Sequence, residues 1–387
     1  MSKIINYSQQ SINREDIISV SKTLKSKYLT TGPNVIKFEK KIRKFVDAKY
    51  CASFNSATSA LHVACLALNL NSKDIVWVPS ISFVASANCA AYCGAKVDFI
   101  DIDKDTFNIC LISLKKKLEI AKKKQKLPKV LIIVHLGGLP SSLKEIKKLS
   151  NKYNFKIIED ASHALGSSIF NHKIGSCKYS CFTIFSFHPV KNITTAEGGA
   201  ITTNSHKYFK KILLLREHGI ERNFRNFVNK NSTPFYYEQQ FLGYNYRLSE
   251  LHASLGISQL KRIKSFIKKR NIIRSMYQKG LKNLPIKFQL VDKNYYSSNH
   301  LVIIRVNKKI RNALINYLFK KGYKTNIHYI PIFYHPFYYK KFYLSNINAI
   351  EYYEEALSLP CFFDLNFYEV TKIINHIKFF LNFKMIK

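Results

Sequence analysis

Four short stretches carry residues whose types and spacing could do chemistry. In Asn55-Ser56-Ala57-Thr58-Ser59, small residues and hydroxyls precede a helix-patterned segment, and the positive end of such a helix can seat a phosphate or another anion. A simple Ser or Thr cap would leave the same pattern. In Pro79-Ser80-Ile81-Ser82-Phe83, an aromatic follows an apolar run and can either cover a flat ring or join the core. Asp160 comes after the apolar run Lys156 to Ile158 and is followed by Ser162 and His163. An acid there can pair with a protonated ring nitrogen, bind a metal, or cap the next segment. Finally, Phe185-Ser186-Phe187-His188-Pro189-Val190-Lys191 places one lysine between an aromatic-rich strand and the Gly198-Gly199 turn. Burial lowers the pKa of an amine and makes it a usable nucleophile and base.

Taken together, an anion seat, a ring face, a strand-end acid and a buried lysine meet the needs of pyridoxal phosphate (PLP): anchor, stacking surface, pyridinium partner and Schiff-base nitrogen. These groups must be brought together by a sheet. Short apolar runs at Ile75 to Val78, Val97 to Ile102, Val130 to Val134, Lys156 to Ile158, Cys181 to Phe187 and Ala200 to Thr202 alternate with helix-like segments. That alternation predicts an α/β domain on a mostly parallel sheet, where ligands collect at the carboxyl ends of the strands. Leu61, Ala64, Cys65 and Leu68 give a helical stripe over 58–70, with Ser56 and Thr58 as candidate caps. After a polar opening and this first domain (1–246), a long basic helical stretch (247–284) reads as a connector. The remainder (285–387) reads as a small C-terminal α+β domain, with strands at Leu301 to Val306 and Lys324 to Ile327 and helices near Ile310 to Lys320 and Phe367 to Leu381.

Composition narrows the function classes. A chain of 387 residues, 47% hydrophobic, is long enough for a large core, which argues against disorder. The formal charge of +38 would suit a nucleic acid or an anionic membrane. However, the excess is mostly dispersed Lys, without an RNP-type motif, a zinc finger or a long basic tail, so it reads as a solvated surface with no nucleic-acid partner. The eight cysteines form no CxxC pair and read as reduced core thiols, with no metal site. The polar N-terminus and the absence of a long apolar run predict a cytoplasmic protein that does not enter the membrane.

From Tyr7 to about Asn366 the chain resembles the sugar aminotransferases of the DegT/DnrJ/EryC/StrS group, which are fold type I PLP enzymes. The resemblance is carried by Ser26-Lys27-Tyr28-Leu29-Thr30-Thr31-Gly32-Pro33, Phe54 to Leu61, Ile81 to Asn88, Ser162 to Ser167 and above all Phe187 to Gly199, with later matches at Gly243 to Glu250, Ser298 to His300, His328 to Pro331 and Leu357 to Pro360. These motifs resemble most a subfamily that makes UDP-4-amino-4,6-dideoxy-N-acetyl-β-L-altrosamine for pseudaminic acid biosynthesis. The resemblance implies a homodimer with shared active sites that moves the amino group of L-glutamate to C4 of a UDP-linked 4-keto-6-deoxy-N-acetylhexosamine, with pyridoxamine phosphate as intermediate. It implies Lys191 as the Schiff-base lysine, Asp160 on the pyridine nitrogen, His163 beside the phenolic oxygen and Phe83 on the ring. Ser56, Ala57, Thr58 and Ser186 would hold the phosphate, with Asn245 reaching over from a second subunit. Tyr7, Lys27, Tyr28, Leu29, Thr30, Asn245, Arg247, His328, Tyr329, Ile330 and Pro331 would line the nucleotide-sugar site. A related sugar dehydratase would carry histidine where this chain has Lys191. Another nucleotide-linked keto sugar, of different configuration or ring position, is the alternative substrate. One stretch departs from the pattern: after His135, Leu139-Pro140-Ser141-Ser142-Leu143 lacks the acidic residue common in relatives.

Overall fold

The computed structural model describes residues 4–229, 233–339 and 346–385. The apolar runs form a seven-stranded sheet from β1 (Tyr50–Phe54), β2 (Ile75–Pro79), β3 (Lys96–Ile100), β4 (Val130–Val134), β5 (Lys156–Asp160), β6 (Phe182–Ser186) and β7 (Gly199–Thr203). Their spatial order is β1-β7-β6-β5-β4-β2-β3. Pairing is parallel from β3 through β2, β4 and β5 to β6, whereas β7 runs antiparallel to both β6 and β1. Residues 187–198 form turns and no helix, and return the chain directly beside β6.

Side chains alternate across the sheet with a period of two, so each strand feeds two cores. In β4, Val130 and Ile132 enter one core and Leu131 and Ile133 the other. The helices before the C-terminal part are α1 (Arg14–Leu24), α2 (Pro33–Val46), α3 (Ala57–Ala67), α4 (Ala85–Ala91), α5 (Leu111–Lys123), α6 (Leu143–Tyr153), α7 (His206–Arg216) and α8 (Glu250–Gly280). Residues of α3, α4 and α7 fill the first core, and those of α2, α5, α6 and the first half of α8 fill the second. The second half of α8, through Ile273 and Tyr277, joins a third core. That core is completed by β8 (Lys287–Phe288), β9 (Val302–Arg305) and β10 (Ala356–Leu359), an antiparallel sheet in that order, with α9 (Lys308–Lys320) and α10 (Phe367–Met385) packed on it. The start of α8 also fixes that of α2: the buried Glu250 carboxylate accepts the N–H groups of Gly32, Asn34 and Val35 at 3.0, 2.7 and 2.9 Å.

Several expectations change. The polar opening contains α1 and α2, and Val35, Phe38, Ile42 and Val46 form a buried stripe hidden among lysines. β1 also went unpredicted. The helix expected over 58–70 spans Ala57–Ala67 and is buried almost all round, because it lies between the sheet and its neighbours α4 and α7. Ser56 caps it in a reciprocal box with Ser59, whereas Thr58 lies inside the helix. No strand forms at Lys324 to Ile327. The backbone there is divided between two partners, Tyr323 bridging Ile5 and Asn326 bridging Ser358, so no continuous ladder develops. Among the described residues, no helix is long and apolar enough to cross a membrane, and no group of three or more His, Cys, Asp or Glu is arranged to hold a metal ion.

Candidate active site

The carboxyl ends of β1, β2, β5 and β6 open into a cavity of about 400 Å³. Ser56, Ala57 and Thr58 reach it from the start of α3, Ser82 and Phe83 from the segment after β2, Asp160 and His163 from the end of β5, and Ser186 and Lys191 from β6 and its following loop. Tyr7, Asn326, His328 and Tyr329 close it from the N-terminal segment and the C-terminal part.

The start of α3 lines one part of the cavity and offers what an anion needs. The N–H groups at the first positions of α3 have no carbonyl partner within the helix and carry its positive dipole end. Gly199 lets β7 pass directly behind this seat, since a Cβ there would lie 2.6 Å from the Ala57 nitrogen and the Ser56 carbonyl. Asp160 is the last residue of β5, and its carboxylate is fixed on both sides. Oδ1 accepts the Ser162 N–H at 3.1 Å and hydroxyl at 2.6 Å, and Oδ2 accepts the Ser86 hydroxyl at 2.6 Å.

Lys191 is half-buried, and its loop is tied down by Ser8 Oγ on the Val190 carbonyl at 3.1 Å and by Thr194 Oγ1 on the Phe187 carbonyl at 3.0 Å. Loss of solvent lowers its pKa from 10.5 to about 8; Asp160 opposes that shift and the Arg270 guanidinium adds to it. The amine is therefore far easier to deprotonate than a surface lysine.

His163 Nδ1 accepts the Gly137 N–H at 3.3 Å, which leaves Nε2 to carry the proton toward Tyr329 Oη at 3.0 Å. Burial, with Lys191 and His328 nearby, holds its pKa well below the usual imidazole range, so the ring is neutral. Burial and Lys191 likewise push His328 down to about 3. Burial drives the Tyr329 phenol above its ordinary value, so it stays protonated.

The donor set fits PLP: the helix-start N–H groups for the phosphate, a carboxylate for the ring nitrogen, a half-buried amine for the aldehyde, and Phe83, 57% exposed, to meet a flat ring. Other expected residues lie apart. Lys27, Tyr28, Leu29, Thr30 and Ile330 are exposed and line no part of the cavity, and Pro331 is buried outside it. Asn245 is exposed, its backbone bridging Glu217, and Arg247 lines a separate cavity of about 190 Å³ with Glu39 and Arg216. Sequence reasoning missed Ser82, Ser86, Glu197 and Asn326. The i, i+4 spacing of Ser82 and Ser86 at the start of a helix was a readable signal, whereas nothing local marks Asn326.

Comparison with known proteins agrees with this geometry. The profile of the DegT/DnrJ/EryC1/StrS aminotransferase family matches residues 10–378. The UDP-4-amino-4,6-dideoxy-N-acetyl-beta-L-altrosamine transaminase of Campylobacter jejuni subsp. jejuni is 38% identical over 371 residues, 94% of each chain. The structure of Helicobacter pylori PseC, an aminotransferase involved in the biosynthesis of pseudoaminic acid, superposes with a TM-score of 0.87 at 31% identity, covering 98% of this chain and 100% of that one. The PLP form of a putative sugar aminotransferase from Streptococcus pneumoniae superposes with a TM-score of 0.85 at 28% identity, covering 96% and 97%.

Proposed function

The chain belongs to the DegT/DnrJ/EryC1/StrS aminotransferase family and is a PLP-dependent aminotransferase, and from that premise we propose its substrates and the roles of its residues. It moves the amino group of L-glutamate to C4 of a UDP-linked 4-keto-6-deoxy-N-acetylhexosamine, giving UDP-4-amino-4,6-dideoxy-N-acetyl-β-L-altrosamine for pseudaminic acid biosynthesis. The observation that carries the reading is the convergence of the anion seat, Asp160, Phe83 and Lys191 on one cavity, in a chain 38% identical to a transaminase named for that sugar.

When bound, PLP supplies an electron sink that lets an amino group pass between two carbonyl compounds. Ser56, Ala57, Thr58 and Ser186 would hold its phosphate, and Phe83 would cover the ring. Asp160 would hold a proton at the ring nitrogen. Lys191 Nζ would anchor the cofactor and serve as the base, and a pKa of about 8 would let its amine both take and return a proton near neutral pH. His163 donates its Nε2 proton to Tyr329 and fixes that phenol at the cavity wall, where Tyr7 and His328 stand with rings 5.0 Å apart. We take the working enzyme to be a homodimer, in which Asn245, Arg247 and the segment from Lys27 to Thr30 complete the site of a second copy. The exposure of Asn245 and of Lys27 to Thr30 in the single chain supports this, as do the bare apolar side chains of Val228, Phe235 and Leu242. A cytoplasmic location suits eight cysteines that are all free.

The test is the visible absorption spectrum of the protein with PLP, before and after L-glutamate and then the UDP-linked keto sugar. A band bleached by glutamate and restored by the sugar supports the reading. Bleaching without restoration moves the sugar to another member of a nucleotide keto-sugar panel, and no band at all refutes the assigned role of Lys191.

A further inference from the structure

Two sets of hydroxyls grip the Asp160 carboxylate, and we propose that Ser86, backed by Ser82, is a positioning residue that holds it in the orientation meeting the cofactor's ring nitrogen. The inference rests on the PLP reading above and deepens it. An ionised carboxylate only accepts hydrogen bonds, so the 2.6 Å contact must be Ser86 Oγ–H donating to Oδ2. With its proton so used, Ser86 offers only lone pairs to Ser82, whose hydroxyl therefore donates to it at 2.7 Å. The order Ser82 to Ser86 to Asp160 is thus settled by proton count. Donation to a charged oxygen at this length belongs to the stronger class of hydrogen bonds.

Ser86 has no exposed surface and does not line the cavity, so its hydroxyl serves the aspartate rather than a ligand. A serine in a helix ordinarily returns its proton to its own backbone a turn earlier. Here it crosses to a side chain 74 positions away in sequence, from the start of α4 to the end of β5. Ser162 grips the opposite oxygen, so losing Ser86 frees the carboxylate to swing about that remaining attachment. The titratable groups near Asp160 are Lys191, with which it interacts directly, and His163 and Tyr329 across the cavity, with His328 and His300 behind them. The three imidazoles all have pKa values held low by burial and stay neutral through the working range.

The experiment is a pH titration of the visible band of the PLP-loaded protein in the wild type, Ser86→Ala, Ser82→Ala and Ser86→Thr. Positive charge at the ring nitrogen lowers the proton affinity of the nitrogen that Lys191 contributes. A displaced carboxylate supports that charge less well, so the midpoint rises. Ser86→Ala should raise it by about 0.5 to 1 pH unit, roughly a three- to tenfold change in that equilibrium. Ser82→Ala, which leaves the inner donor in place, should shift it less in the same direction, and Ser86→Thr should restore the wild-type midpoint. An intact band titrating within about 0.2 pH unit of wild type in Ser86→Ala overturns the proposal, as does a downward shift or a larger effect from Ser82→Ala. Should Ser86→Ala fail to fold, Ser82→Ala decides, because no rise there overturns the relay. If wild-type protein forms no band with PLP, it is the PLP reading that has failed, which separates the two.

Discussion

The pH dependence of PLP capture puts the environment of Lys191 to a direct test. Only the neutral amine attacks an aldehyde, and at pH 7 an ordinary lysine with a pKa of 10.5 is about 0.03% neutral. With the value lowered to about 8, the neutral share at that pH rises to about 9%, roughly 300-fold more. The sign is set by burial, which penalises the charged form, so the advantage is largest below pH 8 and fades as pH approaches 10.5. Stopped-flow absorbance of apo-protein mixed with PLP should therefore show a capture rate that climbs about tenfold per pH unit below 8 and levels off above it. The Asp160 carboxylate acts the other way, raising the lysine's proton affinity, so Asp160→Asn should move the midpoint below that of the wild type. A rate still climbing tenfold per unit between pH 8 and 10 would refute the burial argument. An upward shift in Asp160→Asn would refute the assigned sign of that interaction.

Three other perturbations have definite outcomes. Glu250→Gln leaves the N–H groups of Gly32, Asn34 and Val35 short of their buried anionic acceptor, and urea unfolding should show a loss of about 2–4 kcal/mol; a change under about 0.5 kcal/mol would count against the clasp. Gly199→Ala forces a Cβ to within 2.6 Å of the Ala57 nitrogen, so stability should fall by about 1–3 kcal/mol and PLP titration should show weaker binding through the displaced anion seat. Wild-type PLP affinity in that variant would show that the seat lies elsewhere. Tyr329→Phe strips the partner from a buried imidazole N–H, and the thermal midpoint should drop by an amount equivalent to about 1–3 kcal/mol, with turnover of the keto sugar falling more than PLP uptake. Equal loss in both would mean that the phenol serves the cofactor rather than the sugar.

The parts of the candidate site legible from sequence are those whose signal is local. Asp160 closes a run of apolar β residues, Lys191 follows an aromatic strand, and Ser56 precedes a helix, so strand-end geometry alone points each of them toward one opening. The central strands were legible for the same reason, since buried parallel strands are short apolar runs with little else in them. Less of the periphery could be read. The stripe of α2 is diluted by its lysines, and the Lys324 to Ile327 segment has strand-like composition but divides its pairing between two neighbours instead of following one.

What the sequence determined by itself, then, is the chemistry available at each strand end, because residue type and the period of the hydrophobic pattern are local properties. The tertiary structure decided which of those ends share a cavity and what surrounds them. Strand order follows from packing and connection length, so nothing near Asp160 announces that Ser86, 74 residues earlier, donates to it. Nothing near His163 announces that Tyr329, 166 residues later, completes its hydrogen bonds. The low pKa of Lys191 is likewise a tertiary property: it is set by the solvent removed from around the amine and by Asp160 and Arg270, which only the fold brings near it.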